Sequence, residues 1–135
     1  MKIYEMICYL KQEKDQKKIV EFIKENQKCH DVLKYLHDPF FETGLKEVDL
    51  DTIPQERWDV DMLITMLINY LKEYGLKGDK GVKKSYVRNI YERGHNNKKW
   101  KWVVNLIATK GYNNLFELDN IILSRAGLIK KPLKR

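Results

Sequence analysis

Lys80, Lys84 and Arg88 recur at four-residue steps, with Lys83 beside them, so on a helix they form a cationic stripe that Tyr91 extends more loosely. Val87 and Ile90 fall on the opposite side of the same helix. Lys98, Lys99 and Lys101 surround Trp100 and Trp102 at a second helix start, Lys110 precedes Gly111 at a turn, and Lys130 and Lys131 lie near the end of the chain. Upstream, Leu76-Lys77-Gly78-Asp79-Lys80-Gly81 reads as a turn into a helix N-terminus, where free backbone amides and neighbouring lysines suit a phosphate oxygen. The same glycines would equally serve an ordinary helix-to-helix turn. The chemistry these groups offer is anion binding at several separate points. Trp100 and Trp102 either flank that surface or anchor the core, and for at least one of them the core is the better assignment.

Charge is divided along the chain in the same sense. Residues 1–70 carry 10 Lys and Arg against 14 Asp and Glu, whereas residues 71–135 carry 16 against 5, for a net charge of +7. An excess of cations on one side of a domain repels itself and gains nothing in folding, so the gradient points to a polyanionic partner, with a merely solvated basic surface as the plainer alternative.

Residues for covalent chemistry are missing from this pattern. His30, His37 and His95 do not pair with one another or with cysteine at metal-ligand spacing, and structural or surface roles are expected for all three. Asp49/Asp51 and Asp59/Asp61 fall in a loop and at a helix start, where solvation and capping account for them. No Gly-Lys-Ser/Thr completes a P-loop at Gly78–Gly81, and Lys80 follows Asp79 where a nucleotidyltransferase nucleophile motif needs glycine. No catalytic motif, metal site or cofactor site is expected, and the chain reads as a non-enzyme. Cys8 and Cys29 sit among apolar neighbours in helical patterns, as reduced core thiols. With no signal peptide or membrane-spanning run, a cytoplasmic location is expected.

The elements that must position these cations are helical throughout. At 135 residues the chain fits one domain, 1–135, with about seven helices and no alternating run long enough for a strand. Ile3, Met6, Ile7 and Leu10 mark a first helix, and Asp15 caps a second carrying Ile19, Val20, Phe22 and Ile23. A third spans the region of Cys29 to Leu36 and stops at Asp38-Pro39. Phe40, Phe41, Gly44 and Leu45 form an apolar connection, and the acidic stretch from Glu47 to Glu56 reads as loop. Asp59 caps a long helix with Met62, Leu63, Met66, Leu67, Tyr70 and Leu71 inward, ending at Gly75. Asp79 caps the next, with Val82, Tyr86, Val87 and Ile90, ending near Gly94. Asn96 or Asn97 opens another through Trp100, Val103, Val104 and Ile107, ending at Gly111. Asn114 opens the last, with Leu115, Leu118, Ile122 and Leu123, ending at Gly127. The fold class is an all-α single domain.

Several of these segments together resemble the N-terminal DNA-binding domain of small bacteriophage-type ATP-dependent DNA ligases. Ile23-Lys24-Glu25-Asn26 followed by Val32-Leu33-Lys34-Tyr35-Leu36-His37-Asp38-Pro39-Phe40, leading to Gly44, is similar to that family's opening helical pair with its Asn/Asp-Pro-Phe step. Leu76-Lys77-Gly78-Asp79 resembles its Leu-Thr-Gly-Asn turn, with Lys77 and Asp79 as departures. Asn105-Leu106-Ile107-Ala108-Thr109-Lys110-Gly111 resembles its Asp-Leu-x-x-Gly turn, and Gly127-Leu128-Ile129-Lys130-Lys131-Pro132 its closing Gly-Leu-Ile-Pro segment. In that family the closing segment leads into the nucleotidyltransferase domain, whereas this chain stops at Arg135.

The resemblance implies an all-helical clamp on the minor groove and phosphates of double-stranded DNA, without a ligase active site. The expected function is sequence-independent binding of duplex, including nicked, DNA in repair or replication in a phage or prophage setting. The expected partners are the DNA and a separately encoded ligase catalytic chain, with no membrane. The rival is a phage interaction protein that inhibits or redirects a host protein through its basic face.

Overall fold

The computed structural model describes residues 1–38, 41–74, 84–110 and 120–129. They form an all-α fold with no strand among the described residues: α1 (Ile3–Gln12), α2 (Gln16–Glu25), a 3-10 turn (Gln27–Cys29), α3 (His30–His37), α4 (Val60–Tyr74), α5 (Lys84–Glu92), α6 (Lys98–Thr109) and α7 (Asn120–Arg125). None of these helices is long and apolar enough to cross a membrane. The expected boundaries at Pro39, Gly75, Asp79, Gly111 and Asn114, and the inward positions Val82, Leu115 and Leu118, lie outside the described residues.

Short polar side chains start the helices where expected, because each satisfies amides that the first turn leaves without a partner. Asp15 accepts from the amides of Lys17 and Lys18, and Asn97, rather than Asn96, accepts from Trp100 at 2.7 Å. The Asp59 carboxylate accepts from the Asp61 amide at 3.1 Å and pairs with Lys2 at 3.2 Å. The hydrogen bond from Lys2 holds its carboxyl below the usual range. Asp61 in turn accepts from the amide of Ile3 at 2.8 Å, so this acidic pair fastens the start of α1 to the start of α4.

The C-terminus of α7 closes on Gly127, whose φ of 81° carries the chain into the left-handed region. Leu128 donates back to the Leu123 carbonyl and Gly127 to that of Ser124, the paired bonds of a Schellman ending, with Leu123 and Leu128 both buried.

The buried residues form one cluster with α6 at its middle, packed against α1, α4 and α5. Trp100, Val103, Val104, Ile107 and Ala108 on α6 have no exposed surface. Such burial around most of a helix marks it as central. Trp100 is therefore a core anchor. Its Nε1 donates to the Tyr91 carbonyl at 3.0 Å, beneath the turn at Gly94.

Two assignments need correction. Met62 is 44% exposed, because the buried stripe of α4 is Val60, Leu63, Ile64, Leu67, Ile68 and Leu71, which leaves Met62 on the flank. Tyr91 does not extend the cationic stripe of α5. It lies one turn after Val87 and is buried with Val87 and Ile90.

The irregular segment from 41 to 59 is held by distant helices. Thr43 donates to the Ala108 carbonyl at 2.7 Å, and Tyr35 donates to the Ile107 carbonyl at 2.8 Å. Leu45 and Leu50 are buried. Gln55, Arg57 and Trp58 donate their amides to the carbonyls of Glu92, Gly94 and Arg93. The last carbonyls of α5 and α6 thus find partners far away in the chain. Tyr70 stacks on Tyr86 with ring centroids 3.9 Å apart, joining α4 to α5. Cys8 and Cys29 are buried free thiols, and burial pushes the Cys29 thiol up to about 11.

Candidate nucleic-acid interface

Lys84 and Arg88 project from the exposed face of α5, one turn apart, while Val87 and Ile90 fill the core behind them. The guanidinium of Arg88 already has two carboxylate neighbours, Glu92 at 3.0 Å and Asp49 at 3.8 Å. All three side chains are well exposed, so these pairs are worth only about 0–1 kcal/mol each and exchange readily with another anion.

Lys98, Lys99 and Lys101 are exposed on the first turn of α6, as the pattern of the sequence requires. Lys98 and Lys101 border a cleft of about 310 Å³ together with Asp49, Leu50, Asp51 and Trp102. Asp49 therefore borders both parts of the cationic surface: it pairs with Arg88 and lines the same cleft as Lys98 and Lys101. The structure brings together Arg88 with Lys84 beside it on α5, and Lys98 with Lys101 on α6, around one acidic segment.

Trp102 is half-buried, and the ammonium of Lys11 lies 4.4 Å from its ring centroid. Burial raises the Cys8 thiol, while the positive charges of Lys99 and Lys11 pull it partly back down. Lys11 thus adds a cation from α1 to the start of α6. Sequence reasoning misses it, because Lys11 lies in the acidic half and its position depends on α1 packing along α6.

Lys110 is placed differently. It stands in the left-handed conformation (φ 53°, ψ 43°) at the C-terminus of α6, a place the sequence assigns to Gly111. Its ammonium donates to the carbonyl oxygens of Asp38 and Phe41 and lies 5.1 Å and 5.6 Å from the ring centroids of Phe41 and Tyr35. At about 1.5 Å per residue, α6 separates it from Lys98 by roughly 18 Å. Lys110 fastens α6 to the chain after α3. Lys77, Gly78, Lys80, Lys83, Gly111, Lys130 and Lys131 lie outside the described residues.

The histidines of α3 serve backbone groups: a ring nitrogen of His30 contacts the Ile23 carbonyl and one of His37 the Leu33 carbonyl. Among the described residues no group of His, Cys, Asp and Glu is arranged to hold a metal ion. The exposed cations can neutralise a phosphate backbone by charge and hydrogen bonding, and the half-buried Trp102 adds an aromatic border. No family model matches the chain, and neither the curated proteins nor the solved structures compared with it give a match.

Proposed function

We propose that this chain is a sequence-independent double-stranded DNA-binding module that acts by binding and not by catalysis. The observation that supports it best is the placement of Lys84 and Arg88 on α5, and of Lys98 and Lys101 on α6, on exposed faces whose opposite sides are core and which both border the Asp49 segment. Side chains of this type at helix starts favour phosphates over base edges, which gives affinity without sequence preference. The resemblance to ligase DNA-binding domains extends the proposal to nicked duplex as the substrate and to a ligase catalytic chain as the protein partner.

Titrating labelled nicked, intact and single-stranded DNA at several salt concentrations tests the reading. Duplex affinity should fall steeply as salt rises, and Lys84→Ala with Lys98→Ala should weaken binding without lowering thermal stability. Absent or salt-independent duplex binding would remove the DNA reading and leave the basic face to an acidic site on another protein.

A further inference from the structure

The acidic segment beside the cations is not loosely tethered. Leu50 is only 5% exposed and fixes the backbone between Asp49 and Asp51. The amide of Asp51 donates to Asp49 Oδ1 at 3.1 Å, which sets the turn. The other oxygen of Asp49 faces Arg88 at 3.8 Å, and both aspartates border the cleft that Lys98 and Lys101 also line. Asp51 is also near enough to Tyr91 to raise its phenol further, after burial has done so.

We propose that the Asp49–Asp51 segment is an internal competitor for phosphate, seated on the α5–α6 cations, and that duplex DNA binds this face only by displacing its carboxylates. The proposal rests on the DNA-binding reading above. Two negative groups anchored through a buried leucine occupy the ground on which a phosphodiester chain would lie, and they repel it until Arg88 exchanges partners. Exposed ion pairs of this kind exchange at little cost, so the segment lowers affinity without abolishing it. It also makes binding depend on how many phosphates arrive together, which favours a continuous duplex backbone over short or isolated anions.

The test compares the full chain with Asp49→Asn/Asp51→Asn and with Glu21→Gln/Glu25→Gln. The second variant removes the same charge from exposed positions on α2, which packs against α7 and the 3-10 turn. Asparagine at 49 keeps the oxygen that accepts from the Asp51 amide. Affinity for a labelled nicked duplex is measured by anisotropy across a salt series, with thermal unfolding as a check on folding. Asp49→Asn alone serves as a second variant in case the double one unfolds.

Freeing about one cation for a phosphate should make the segment variant bind roughly 10-fold tighter near 0.1 M salt, with a log–log salt slope steeper by about 1. The α2 variant should change by less than about 2-fold, because exposed charges that do not border the bound phosphates are largely screened at that salt. Equal gains in both variants, or an unchanged slope in the segment variant, would overturn the competitor and leave the DNA reading standing. No duplex binding by any of the three proteins would overturn both.

Discussion

The indole nitrogen of Trp100 donates to the Tyr91 carbonyl at 3.0 Å, and the same ring lies so close to Gly94 that a β-carbon there would collide with that nitrogen. Glycine at 94 is thus required by the approach of the indole. Trp100 has no exposed surface and nowhere to retreat. Gly94→Ala should cost about 1–3 kcal/mol or more through overpacking. Gly127→Ala meets open space and should cost only the roughly 1–2 kcal/mol of a left-handed alanine. Urea unfolding of the two variants measures the difference.

Lys110 combines a left-handed backbone with a side chain bound to two distant carbonyls. Lys110→Ala should lose about 1–3 kcal/mol, because it leaves those carbonyls short of a donor while the backbone strain stays as in the parent. Lys110→Gly should be the more stable of the two by about 1 kcal/mol, since glycine accepts the conformation freely. Neither variant should alter the salt slope of duplex binding, and a reduced slope would return Lys110 to the interface.

Leu67 and Met62 sit on one helix with opposite environments, 0% and 44% exposed. Leu67→Ala should destabilise by about 2–5 kcal/mol through the cavity it leaves. Met62→Ala should stay within about 0.5 kcal/mol of the parent. Denaturant midpoints for the pair check the placement of the α4 stripe.

Burial lowers the affinity of His37 for a proton, and the positive charge of Lys110 lowers it further, against the opposing pull of the Leu33 carbonyl. The unfolded chain, with its imidazole near the ordinary 6.5, binds a proton more readily than the folded one. The contribution of His37 is therefore complete above that value and is lost as pH falls through it toward the lower folded value. Unfolding free energies measured from pH ~7.5 to ~5.5 should decline in the parent, and the decline should be smaller in His37→Gln.

If the clamp serves a ligase catalytic chain, adding it to a ligase core without its own DNA-binding domain should raise sealing at low DNA concentration by holding enzyme and nick together. Lys84→Ala with Arg88→Ala should remove the stimulation. Intact DNA binding with no stimulation of the cognate core would leave a DNA-binding module without that partner.

The parts of this molecule that local rules govern can be read from the chain itself. Asp15, Asp59 and Asn97 cap helices because capping depends on three or four consecutive residues, and the faces of α5 and α6 follow from a 3.6-residue period. Periodicity misplaces Met62 and Tyr91 because each lies at the edge of a stripe, where one helical position decides between core and solvent. Thr43 and Leu50 have no periodicity to betray their burial in an irregular segment. The inward turn of Lys110, the approach of Lys11 to Trp102 and the seat of Asp49 beside Arg88 all depend on tertiary neighbours remote in sequence. Charge alone marks cations without showing which of them already have partners.

The bonds from Tyr35 to Ile107 and from Thr43 to Ala108 join residues 72 and 65 positions apart. During vectorial synthesis α1 can meet α4 before α6 emerges, but Tyr35 and Thr43 have no acceptor on α6 until it follows. At about 5–20 residues per second, roughly 4–14 s separates Tyr35 from Ile107 at the point of translation. The nascent N-terminal half thus spends that interval as an unfinished surface, a window in which chaperones have access, and α6 covers α1 before α7 reaches α2.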